Sequence, residues 1–262
     1  MAKICPLFSG STGNSTYIGT ENGGILIDAG ASAKGIEKAL ERAGASFEEV
    51  KAVAITHTHS DHICGLKTVL KKTGAVLVAR QETVETLTEL EYIPAGTKIE
   101  VIDRQGIDIN GICINNFITS HDCEGSCGYT FILPDGKKVA ICTDLGIVTD
   151  EVRSALHKSY AVLIESNHDI EMLKKGPYPP FLKVRIMSDN GHISNSVCAG
   201  EVLRLFKNGT TRFILGHLSL KNNTPLLARS VSEAVLADIG AKNGRDYILC
   251  VAEPKENGVT VI

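Results

Sequence analysis

Short apolar runs rich in isoleucine and valine recur along the chain: GGILIDAG, KAVAITHTH, GAVLVA, KKVAICTD, YAVLIESNHD, TRFILGH and YILCVA. Each is bounded by turn-forming or polar residues, which marks a buried strand rather than a helix. Between them lie segments of helical character. SAKGIEKALERAG, residues 32–44, opens on a candidate serine cap and closes on glycine, and SVCAGEVLRLF spans 196–206. Strands alternating with helices predict an α/β protein. No fixed-period repeat, low-complexity tract or Pro/Gly/Ser linker interrupts the pattern, so residues 1–262 read as a single domain.

The residues at the ends of the runs carry the chemistry. ILID ends in Asp28, AVAITHTHSDH delivers His57, His59, Asp61 and His62, FITSHD delivers His121, VAICTDLG delivers Asp144, and RFILGHLS delivers His217. In an α/β sheet the strand ends and the loops after them line one edge, where ligand crevices form, so residues distant in sequence can converge there. THTHSDH, residues 56–62, holds three of the chain's eight histidines. His57 and His59 are two apart and leave the same face of an extended segment, while Asp61 and His62 come where the chain must turn. Imidazole and carboxylate match the preferences of zinc, manganese or iron, and the adjacent Asp-His pair can serve a second ion. Singly, His121, Asp144 and His217 are ordinary loop, turn or strand-end residues; together they form a chelating set.

Composition narrows the class. Hydrophobic residues at 43%, charged residues at 22% and a net charge of −3 describe a globular chain rather than a disordered or membrane one. The acidic total argues against a broad nucleic-acid coat but allows a local basic groove, near Lys183 and Arg185 or Lys221. With no apolar run of signal-peptide or membrane-span length, the expected location is cytoplasmic, with no membrane partner and the eight cysteines reduced. Cys123 and Cys127 lack a second cysteine pair and read as loop thiols rather than a metal clip.

Three polar segments favour a phosphate substrate. SGSTGNS (9–15) offers Ser11, Asn14 and Ser15 with backbone N–H groups able to face an anion, unless it is a simple strand-connecting turn. DNGHISN (189–195) places His192, Ser194 and Asn195 just before a helix-like segment, unless it is an ordinary cap. LSLKNNTP after His217 offers Lys221, Asn222 and Asn223.

HTHSDH, with Asp28 upstream and His121, Asp144 and His217 downstream, resembles the five motifs of the metallo-β-lactamase fold hydrolases. SGSTGNS, ESNHD, GHISN and LSLKNNTP resemble its YycJ/WalJ-type subgroup. The resemblance implies a four-layer αββα sandwich with a dinuclear site at one edge of two central sheets. It assigns His57, His59 and His121 to one divalent ion, Asp61, His62 and His217 to a second, and Asp144 to a bridge between them. Zinc or manganese is expected, with iron a further candidate. Asp28 is expected to fix the tautomer of a ligating histidine, and His168 to support the site from behind. The secreted β-lactamases of the superfamily generally carry cysteine where Asp144 stands, which argues against antibiotic hydrolysis.

The subgroup implies a nuclease acting from a 5′ end on single-stranded or end-containing DNA. The expected chemistry is in-line attack on phosphorus by a water activated between ions about 3.5–4 Å apart. Asp61 and His192 are the candidate catalytic residues, His192 binding the scissile phosphate or protonating the leaving oxygen. Two other readings share the ligand set: a thioester or lactone hydrolase of the glyoxalase II kind, and a metal-dependent sensor without turnover. Aromatic residues at 5%, with no tryptophan, give little support for a base-stacking platform.

Overall fold

Each of the seven apolar runs forms a strand in the computed structural model, which describes residues 2–103, 105–255, 257–258 and 260–261. The first half of the chain contributes β1 (Lys3–Phe8), β2 (Ser15–Thr20), β3 (Gly23–Ile27), β4 (Val50–Ala54), β5 (Val76–Ala79) and β6 (Ile99–Val101). The second half contributes β7 (Ile107–Ile109), β8 (Ile112–Ile118), β9 (Cys127–Ile132), β10 (Lys138–Cys142), β11 (Ala161–Glu165), β12 (Arg212–Gly216), β13 (Ile248–Val251) and β14 (Thr260–Val261). They build two seven-stranded sheets, ordered β14-β1-β2-β3-β4-β5-β6 and β13-β12-β11-β10-β9-β8-β7.

In both sheets the hairpin-connected strands are antiparallel and the strands joined through helices are parallel, as the two kinds of connection require. Because β8 and β10 each pair antiparallel with β9, they run the same way, and β11 and β12 continue in the direction of β10. Within each sheet the motif-bearing strands therefore end on a common edge.

Helices α1 (Ala33–Arg42), α2 (Ser60–Ile63), α3 (Leu66–Thr73) and α4 (Gln81–Glu89) belong to the first half. Helices α5 (Asp150–Leu156), α6 (Ile170–Lys175), α7 (Pro180–Ile186), α8 (Asn195–Lys207) and α9 (Pro225–Ala237) belong to the second. The Ser32 hydroxyl accepts from the Gly35 amide and caps α1. The cap of α8 is Ser194, so that helix begins one residue ahead of its predicted start, Ser196.

Strand alternation decides the layering. On β11, Ala161 and Leu163 face the other sheet, packing with Ile25, Ala54, Tyr129 and Ile214, whereas Val162 and Ile164 pack with Val202 and Leu205 of α8 and Ala228 of α9. On the first sheet Val53 turns outward onto Leu40 of α1 and Leu70 of α3. Three apolar clusters thus lie between four layers, helix, sheet, sheet, helix, giving the αββα sandwich. Fully buried side chains such as Ile164 contribute roughly 1.5–3 kcal/mol each relative to exposure.

Candidate metal centre

The site begins in three backbone kinks. Asp28, Asp144 and His217 come just after β3, β10 and β12 with φ of 59°, 58° and 55°. Left-handed backbone is uncommon outside glycine, and aspartate and histidine are among the residues that tolerate it best. His57 and His59 come after β4, and the short α2 turn carries Asp61 and His62. Gly30 makes that turn's position possible, since a side chain there would run into the Asp61 carbonyl.

Donor atoms from these segments form two triads. Those of His57, His59 and His121 lie within 4.8 Å of one another, as do those of Asp61, His62 and His217. Asp144 shares a third group with His57 and His62, and a fourth with Glu165, His192 and His217.

Hydrogen bonds at one ring nitrogen leave the other facing the centre. His62 Nδ1 donates to Asp28 Oδ2 at 2.8 Å, and His217 Nδ1 donates to Glu165 Oε1 at 2.7 Å. Thr56 Oγ1 donates to Asp28 at 2.9 Å and accepts from His57 Nδ1 at 3.0 Å. His121 Nδ1 lies 3.4 Å from the Gly191 carbonyl. His59 is turned the other way: its Nδ1 lies 3.1 Å from His57 Nε2 and 3.2 Å from His121 Nε2. Such outer partners fix tautomer and orientation at metal sites.

The residues fit divalent cations. Among the described residues, Asp144 Oδ2 and His217 Nε2 are buried without a hydrogen-bond partner, an arrangement that costs free energy unless something else meets those atoms. Electrostatics agree. Burial and the neighbouring imidazoles hold His57 well below the ordinary histidine range. For His62 the burial penalty is outweighed by Asp28, Asp144 and Asp61, which push it up to about 9. His217 is likewise raised by Asp144, Asp61 and Glu165 against its burial. Burial works against ionisation of Asp61, yet His217 and His62 bring it down to about 2. The carboxylates thus demand positive charge, which protons on His62 and His217 supply and which divalent cations would supply instead, releasing those protons.

Two features escaped the sequence reading. Glu165, the last residue of β11, is fully buried and accepts from His192 Nδ1 at 2.8 Å as well as from His217, while Ile193 N donates to its other oxygen at 3.2 Å. Its signal was a charged residue ending an apolar run. Asp122 lies 3.6 Å from His121 Nε2 and 3.8 Å from His59 Nε2, and accepts from Arg185 Nε at 2.5 Å and Nη2 at 2.9 Å.

The polar loops divide between rim and interior. Ser11, in the β1–β2 turn, and Lys221 are exposed. The Asn14 amide donates to Asp61 Oδ2 at 3.2 Å and contacts His62 Nε2 at 2.9 Å. Ser15 donates to the Asp28 carbonyl, and Ser194 caps α8. Asn195 and Asn222 are buried; Asn195 joins Ser166 and Asn223, whose amide holds the carbonyls of Ser166 and Asn167. His168 is buried beside Ser194, outside both triads, and burial brings it down to about 4. All eight cysteines are free. Cys123 lies in a loop, but Cys127 is not a loop thiol: it opens β9, buried, with its thiol 3.5 Å from the Thr56 carbonyl.

The chain belongs to the metallo-beta-lactamase superfamily, whose model matches residues 9–217. Within it, the chain is 35% identical over 250 residues to exodeoxyribonuclease YycJ of Bacillus anthracis, covering 95% of this chain and 94% of that protein. It is 36% identical over 246 residues to exodeoxyribonuclease WalJ of Streptococcus pneumoniae serotype 2, covering 91% and 90%. Among solved structures, the metallo-beta-lactamase fold protein YhfI from Bacillus subtilis matches with a TM-score of 0.70 at 16% identity, over 99% of this chain and 98% of that one, a likeness of fold. Among the described residues no helix is long and apolar enough to cross a membrane.

Proposed function

We propose that residues 1–262 form one hydrolase domain, a dinuclear metal-dependent phosphodiesterase that degrades single-stranded or end-containing DNA from the 5′ end in the cytoplasm. The observation that carries this is the pairing of two donor triads across Asp144. The substrate class rests on the exodeoxyribonuclease names of the YycJ and WalJ relatives. His57, His59 and His121 would hold one ion, and Asp61, His62 and His217 the other, with Asp144 between. Zinc or manganese there supplies Lewis acidity toward a phosphoryl group and its attacking water.

The chain's own groups do the rest. Glu165 accepts from Nδ1–H of His192 and fixes its ring, so the opposite nitrogen is presented to the crevice; as an imidazolium, its charge balanced by Glu165, His192 would pass the Nε2 proton to the leaving oxygen. Because Glu165 also holds His217, acid and ligand are positioned by one carboxylate. Asp61, kept ionised, orients the attacking water. Ser11 and Lys221 are the loop groups free to meet a strand, whereas Asn14, Ser15, Ser194, Asn195 and Asn222 hold the loops in place.

One panel tests the reading: 5′-phosphorylated DNA, the matching RNA, a chromogenic phosphodiester and a glutathione thioester, each with zinc and with manganese, and with Asp144→Ala as control. Preferential, metal-dependent cleavage of DNA is expected. Preference for the thioester, or turnover surviving in Asp144→Ala, contradicts it.

A further inference from the structure

Behind the α2 turn lies a cavity of about 510 Å³ that the metal centre does not use. The two share a wall. Gly30, packed on the Asp61 carbonyl, lines the cavity, and so does Cys64, which ends the turn carrying Asp61 and His62.

Its lining is one-sided in charge. Lys38 and Arg42, one helical turn apart on α1, converge with Lys255, and no carboxylate lines the cavity among the described residues. None of the three cations has an ion-pair or hydrogen-bond partner among the described residues. Several cations elsewhere are paired, Lys72 with Glu37, Arg153 with Glu201 and Arg185 with Asp122. Like charges gathered in a concave site raise a positive potential that only an anion relieves. Thr12 and Ser32 add hydroxyls, and the half-buried ring of Phe8 forms an apolar floor. Cations and hydroxyls beside a flat apolar surface suit a nucleotide unit, and the volume is that of a small-molecule site.

We propose that this cavity is a strand subsite, in which Lys38, Arg42 and Lys255 hold phosphates of nucleotides flanking the scissile bond and Phe8 receives a base. The inference rests on the phosphodiesterase reading. A free mononucleotide offers the same chemistry, and the test separates the two sources.

The test uses the Lys38→Gln/Arg42→Gln double variant, whose changes lie on an exposed face of α1 and leave the metal ligands untouched. Binding of a fluorescent single-stranded octanucleotide to the metal-stripped protein is followed by anisotropy across a salt series, alongside binding of dAMP. Turnover of the octanucleotide and of bis(p-nitrophenyl) phosphate is measured on the metal-loaded protein. Losing two phosphate contacts should weaken octanucleotide binding about tenfold and flatten the slope of log affinity against log salt by about 1.4. Turnover of the chromogenic substrate should stay unchanged. Unchanged octanucleotide affinity and slope overturn the proposal, as does a loss confined to dAMP, which would assign the cavity to a free nucleotide. Wild-type protein that cleaves no phosphodiester removes the functional reading itself, a failure visible without the variant.

Discussion

At the scale of single residues, Glu165 and His192 make separable predictions although they touch. His192 lies beside the triads but belongs to neither, so His192→Ala should lower DNA turnover by about 10²–10⁴-fold while two ions remain bound. Glu165→Ala removes the partner of His217 as well, and metal affinity should fall by about 10–100-fold. Inductively coupled plasma mass spectrometry beside a cleavage assay distinguishes them; loss of both ions in His192→Ala would show that its role is misassigned. His168 gives a pH prediction. Its folded pKa, about 4, lies below the ordinary value near 6.5, so its contribution is fully present above pH 6.5 and is lost as the pH falls toward 4. In metal-stripped protein, His168→Gln should lose about 2–3 kcal/mol less than wild type between pH 7 and about pH 4.5, measured by urea unfolding. An equal loss in both would mean that His168 does not titrate in this window.

At the scale of elements, the apolar runs and their strand ends were legible because burial on both faces writes strands as continuous Ile/Val segments. Asp28, His121, Asp144 and His217 could be placed together for the same reason: parallel strands end on one edge. Glu165 was harder to see, since an acid closing YAVLIE looks like a strand terminus until β11 is known to lie between β10 and β12. Asn195, the first residue of α8, and Asn222, in the loop after β12, show the converse, polar residues whose side chains turn inward. Gly30 likewise needs the third dimension, because its constraint comes from a carbonyl 31 positions away in sequence. Gly30→Ala should cost about 1–3 kcal/mol, because that backbone contact cannot be relieved by a rotamer change. It should also weaken the Asp61–His62–His217 site. Thermal unfolding and metal titration check both, and wild-type values for the two would show that Gly30 sets neither.

At the scale of the molecule, the first sheet contributes four of the candidate donors and the second three, so neither half of the chain holds the set alone. That division explains the chain's reach: His57, His59, Asp61 and His62 come from the first sheet's edge, and His121, Asp144 and His217 from the second's. The cationic cavity behind α2 joins α1 to Lys255 near the far end of the chain, a meeting that no local pattern announces. Everything functional here depends on this shared rim being a two-ion phosphodiesterase centre. The most direct test is titration of the metal-stripped protein with zinc or manganese, reading cleavage of a 5′-phosphorylated single-stranded oligodeoxynucleotide at each addition. Activity should climb to a break at two equivalents of ion; a plateau at one equivalent, or no cleavage with both ions bound, would contradict it.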